Sequence, residues 1–149
     1  MAHSKHETAS VPLESHEQQA LFAWARLAER KYPELALLTA IPNGGLRNLP
    51  EAARFRGEGV RRGFPDMILP VARGAYHSLA IELKRRKGGT VSPEQKAWIE
   101  ALKEQGWCAV VCRGADEAIS VIQEYLRGRR WDEFQQDLLG WIASKHATK

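Results

Sequence analysis

Cysteine is scarce in this chain: Cys108 and Cys112 are the two present in 149 residues. Four positions apart on one strand, they would sit roughly 13 Å from each other, too far to bridge. That excludes a disulfide-stapled scaffold and predicts two reduced thiols in a cytosolic core. The five histidines, His3, His6, His16, His77 and His146, are scattered and show none of the spacings of a zinc site. No apolar run approaches the roughly 20 residues of a membrane span, so no membrane partner is expected. The polar stretch from Met1 to Ser10 has no signal-peptide core. There is no internal repeat and no low-complexity tract, which removes solenoids and arrays.

What remains is a globular profile, 44% hydrophobic and 27% charged, in a length that suits one domain. Lys and Arg outnumber Asp and Glu by 22 to 18, giving +4. The balance leans towards a polyanionic partner, although a basic pI alone does not establish one.

The patterning predicts a leader over 1–13, a domain over 14–128 and a helical extension over 129–149. Ser15, with Gln18 three residues on, reads as a capping box opening a helix that runs to Lys31, ahead of Pro33. Its stripe carries Leu21, Trp24 and Ala28, with Glu17 at the centre one turn earlier. An acid on a buried stripe needs a cation or hydrogen bonds; the alternative is a first-turn acid favoured by the helix dipole. Glu14 falls outside the cap and is the weaker candidate. Leu35 to Ile41 reads as a short strand, followed by the turn Pro42-Asn43-Gly44-Gly45. A short helix spans Leu49 to Glu58, and strands are predicted at Met67 to Val71, Leu79 to Lys84 and Trp107 to Cys112. Ser92-Pro93-Glu94-Gln95 opens a helix ending at Gly106. That helix has Gln95 as a polar member of the stripe Gln95, Trp98, Ile99 and Leu102. Helices follow at Ala115 to Arg127 and Trp131 to Ser144. The order implies an α/β fold with a small mixed sheet flanked by helices, plus a C-terminal tail helix.

The chemistry concentrates between Gly59 and Lys84. Alternation on the strand puts Ala80, Glu82 and Lys84 on one face and Leu79, Ile81 and Leu83 on the other. Asp66 stands at the mouth of the adjacent apolar run Met67-Ile68-Leu69. Two carboxylates on neighbouring strands suit a hard divalent cation such as Mg²⁺. A lysine beside them can orient a water or offset charge on a phosphoryl group.

Pro65-Asp66 and Glu82-Leu83-Lys84 resemble the PD-(D/E)XK nuclease pattern. Gly59-Val60-Arg61-Arg62-Gly63-Phe64-Pro65-Asp66, Ile81-Glu82-Leu83-Lys84 and Ser92-Pro93-Glu94-Gln95 with Trp98 look like its VRR-NUC branch. Asn43-Gly44-Gly45 and the leading helix with Glu17 stand in the expected order. The resemblance implies a PD-(D/E)XK nuclease-like core and a Mg²⁺- or Mn²⁺-dependent phosphodiesterase acting on DNA. Asp66, Glu82 and the Leu83 carbonyl would ligate the metal, and Lys84 would position the attacking water. Glu17 would complete the acidic site, and Gln95 would orient groups around Lys84 or the phosphate. One shared site would then explain both polar residues on otherwise apolar helix faces.

Asn43, Arg54, Arg61, Arg62 and Arg85 are candidate nucleic-acid contacts, alongside Arg56, Arg86 and Lys87; a solvated basic face is the alternative. No base-reading segment is visible, which favours selectivity for branched, Holliday-junction-like DNA and disfavours a sequence-specific restriction enzyme. Stand-alone members of this family are phage- or prophage-like, implying a cytoplasmic location and a homodimer matched to a two-fold substrate. The tail helix could make that dimer or cover the sheet. The competing reading is a non-catalytic or partner-dependent DNA-binding accessory protein; the intact acid pair, which repels phosphate without metal, argues against it.

Overall fold

The computed structural model describes residues 11–42, 49–128 and 140. Its centre is β3, Leu79–Lys84, in which all six residues are buried. Strand β2, Met67–Leu69, lies antiparallel to it, and β1, Thr39–Ala40, lies antiparallel to β2. On the other side β4, Cys108–Arg113, runs parallel to β3. Among the described residues the sheet order is therefore β1-β2-β3-β4, and it is mixed as expected.

Burial of a strand on both faces requires cover on both sides. Leu79, Ile81 and Leu83 pack into the larger core with Leu21 and Ala25 of helix α1, Glu14–Ala28, and Val121 and Ile122 of α4, Ala115–Leu126. Ala80 and Ala109 join Ile99 and Leu102 of α3, Pro93–Glu104, in a smaller core on the opposite face. The alternation expected for Leu79 to Lys84 thus sorts two cores. Helix α2, Leu49–Gly57, precedes the glycine-rich loop that leads to Asp66. Cys108 and Cys112 are free, buried thiols in the larger core.

Several boundaries differ from expectation. Helix α1 starts at Glu14 behind extended Leu13, with no side-chain cap, so Ser15 lies inside the first turn and the Ser15–Gln18 box does not form. Glu14 and Glu17 in that turn supply the favourable charge instead. The segment read as a strand from Leu35 is a 3-10 helix, Pro33–Leu37, because Leu35 and Leu38 are buried at a spacing of three and not two. Strand β2 stops at Leu69, ahead of Pro70, which has no N–H to give a ladder. Helix α3 has the full predicted cap: Ser92 Oγ accepts from Gln95 N, and Gln95 Oε1 accepts from Ser92 N. The tail helix from Trp131 and the turn at Asn43 lie outside the described residues, apart from residue 140.

Candidate active site

Register places the two acids together. Met67 pairs with Ile81 in the antiparallel β2–β3 ladder, so one step further Asp66 stands opposite Glu82. Directly opposed residues project to the same face. The Asp66 carboxylate is fixed there by the Leu83 amide, which donates to Oδ2 at 2.7 Å. In an extended strand the N–H and C=O of one residue point to the same neighbour, so the Leu83 carbonyl is also aimed to the Asp66 side.

Glu82 is 1% exposed. Its Oε1 accepts from Gln95 Nε2 at 2.5 Å and lies 3.1 Å from Lys84 Nζ. Its Oε2 is buried and has no hydrogen-bond partner. The orientation of Gln95 follows from the α3 cap: with Oε1 committed to the Ser92 amide at 2.8 Å, the NH₂ end is turned to Glu82. Burial, then the nearby Asp66 charge, push the Glu82 carboxyl up to about 7. Burial also raises Asp66, although the Leu83 amide and Lys84 oppose the shift. Burial therefore disfavours the charged form of both carboxyls, and the Asp66 charge adds to that at Glu82.

These groups fit a hard divalent cation. An orphaned buried carboxylate oxygen and an aspartate held beside it offer oxygen ligands, the set such ions take. A bound cation would also relieve the repulsion between the two acids. No three His, Cys, Asp or Glu side chains converge in a metal-holding group among the described residues. The set suits an ion that keeps several waters and takes further oxygens from a phosphate.

The upstream acid differs from expectation. Glu17 is 2% exposed, but it is not at the cleft. Its Oε1 accepts from Arg86 Nε at 2.8 Å and its Oε2 from the Ala115 amide at 2.8 Å, at the first residue of α4. Burial pushes this carboxyl up, yet the amide and the guanidinium together outweigh it and hold the group below its ordinary value. The shared site expected to satisfy both Glu17 and Gln95 is thus not formed; Glu17 caps α4 and pairs with Arg86. Glu14, one turn earlier, reaches the site instead, with Oε1 3.9 Å from Lys84 Nζ. The two acids are three residues apart on the same helical face, which is why spacing did not separate them. The signal available was depth: Glu17 is at the centre of the stripe, and Glu14 is at its open end.

A cleft of about 1300 Å³ opens beside Asp66, Glu82 and Lys84. Arg56, Arg61 and Arg62, all exposed, line it. Arg54 and Arg85 are not among its lining residues, and Arg54 pairs with Glu58 at 4.0 Å. Arg86 is not among the lining residues either and pairs with Glu17 and Asp116. The loop carrying Arg61 and Arg62 is held against α3. Trp98 Nε1 donates to the Arg62 carbonyl at 3.0 Å, and Phe64 meets Trp98 edge-on with centroids 4.9 Å apart. Gly63, at φ +89°, lies so close that a Cβ would come 2.7 Å from the Glu94 carbonyl carbon.

A mixed sheet that sets an acid pair and a lysine at one strand end, braced by a glutamine from a capped helix, defines a nuclease-like core of the PD-(D/E)XK kind. The chain belongs to the VRR-NUC domain family, whose model matches residues 4–116. A solved structure of a VRR_NUC domain protein is 36% identical, with a TM-score of 0.70, covering 80% of this chain and 93% of that one. No curated protein matches. Membership makes this a nuclease-family protein. Among the described residues no helix is long and apolar enough to cross a membrane.

Proposed function

We propose that this chain is a Mg²⁺- or Mn²⁺-dependent endonuclease that hydrolyses phosphodiester bonds in DNA, with a preference for branched substrates. The observation that carries the reading is the opposed pair Asp66 and Glu82, with the orphaned Glu82 Oε2, beside buried Lys84. Asp66, Glu82 and the Leu83 carbonyl would hold the cation. When bound, it supplies a Lewis acid that polarises the phosphate and lowers the pKa of a coordinated water. Lys84, anchored by Glu82 at 3.1 Å, places positive charge where a phosphoryl group gains negative charge in the transition state. Gln95 fixes the Glu82 carboxylate, and Glu14 sets a further carboxylate 3.9 Å from the Lys84 ammonium. Arg56, Arg61 and Arg62 would contact phosphates, a role that positions the strand without reading bases. The preference for a two-fold branched substrate goes with the homodimer expected from the resemblance.

The test is cleavage of a matched panel of duplex, single-stranded, flapped and four-way-junction DNA with Mg²⁺ or Mn²⁺. Branched substrates should be cut preferentially, and Asp66→Asn, Glu82→Gln and Lys84→Met should each reduce cutting by at least about 100-fold, in line with losing a charge-stabilising group. Folded protein that binds every substrate and cuts none with either metal would leave the accessory-protein reading.

A further inference from the structure

Phosphate-binding arginines account for only part of the cleft. Its wall also carries three aromatic rings, Phe55, Phe64 and Trp98. Phe64 and Trp98 pack against the smaller core, so their positions have a structural reason. Phe55 packs against neither core, although it is half-buried on α2 and faces the cleft. Arg54, which does not line the cleft, lies over the Phe55 ring with its guanidinium carbon 4.9 Å from the centroid.

A duplex keeps its bases stacked on one another, so it meets a protein mainly with its phosphates and groove edges, and aromatic rings add little to that contact. Rings beside basic residues in one groove are the arrangement that holds single strands: the cations follow the backbone and exposed bases stack on the rings. At about 1300 Å³ the cleft exceeds the roughly 300–1,000 Å³ of a small-molecule site, leaving room for more than one nucleotide.

We infer that the cleft takes an unpaired stretch of nucleic acid, with Phe55 as the ring on which a base next to the scissile phosphate stacks. This rests on the nucleic-acid reading of the site and narrows it: the strand passing Asp66 and Glu82 is single-stranded or splayed there. Arg56, Arg61 and Arg62 hold its phosphates, and Trp98 with Phe64 forms the rigid wall behind the base.

The test is fluorescence anisotropy with a labelled dT12 oligonucleotide and with a chain of the same length and charge made of abasic sites. The protein carries Glu82→Gln so that neither probe is cut. Binding of dT12 should be about tenfold tighter than of the abasic chain, as expected for one stacked base. Phe55→Ala should close that gap, and Phe55→Trp should restore it. Equal affinity for the two probes overturns the inference without any further variant, and so does an undiminished gap in Phe55→Ala. Base-dependent binding by the Glu82→Gln protein, when the wild-type protein cuts no DNA with either metal, would retain this inference while removing the nuclease reading.

Discussion

At the scale of single residues, Glu82 carries an unusual burden. Held in a buried site against Asp66, it binds its proton more tightly folded than unfolded, with a folded value of about 7 against an ordinary 4.5. Between those values the folded state holds more protons, so stability falls as pH rises. Without metal, the melting temperature should decline from about pH 4.5 to 7 and level off beyond it, a slope that Glu82→Gln should flatten. Glu17 has the opposite sign: its carboxyl is held below the ordinary value, so its contribution is present above that value and lost on acidification. Melting curves across pH for Glu82→Gln and Glu17→Gln separate these slopes. The sequence places Glu82 and Lys84 on one strand face by alternation, Asp66 at the mouth of the adjacent strand, and Gln95 on the inner stripe of a capped helix. The register that sets Asp66 opposite Glu82 is read only from the assembled sheet. The orphaned Oε2 and the raised proton affinity of the two acids were not legible in the sequence, because both depend on burial that only the assembled cores create.

At the scale of elements, α1 performs two tasks with two acids one turn apart. Glu17 joins α1 to the N-terminus of α4 and, through Arg86, to the segment just after β3. Glu14 meets Lys84 at the site. Their substitutions should therefore diverge. Glu17→Ala removes a buried charge-assisted bond and the acceptor capping α4, and should cost roughly 2–3 kcal/mol of stability by denaturant unfolding. Glu14→Gln, at an exposed position, should change stability by no more than about 0.5 kcal/mol while lowering the cleavage rate. If Glu14→Gln cuts normally and Glu17→Gln folds normally but does not cut, the assignment of the two acids is reversed. Most elements were readable from apolar period and punctuation; the 3-10 segment at Pro33–Leu37 was not, since a short apolar run suits either period. The α1 start was misplaced because Ser15 and Gln18 imitate a capping box that the first-turn acids make unnecessary.

At the scale of the whole molecule, the sheet separates support from chemistry. Helices α1 and α4 bury one face and set Glu17 between them, while α3 covers the other and brings its capped end to the acid pair. The cleft arises where α2 and the loop through Gly63 fold against α3, a meeting of distant segments that no local pattern announces. Hence sequence alone pointed to a basic region flanking the site but not to its aromatic wall, nor to the division between Arg61 and Arg62 at the cleft and Arg86 tied to Glu17. The proposed chemistry depends on Asp66 and Glu82 forming a cation site. Calorimetric titration of the folded protein with Mn²⁺ at pH 6 and pH 8 tests this most directly. Saturable binding is expected at pH 8, weaker by roughly tenfold for each pH unit below 7 as the Glu82 proton competes, and absent in Asp66→Asn. Binding that persists unchanged in Asp66→Asn and Glu82→Gln, or a wild-type protein that binds no Mn²⁺ at pH 8, would contradict it.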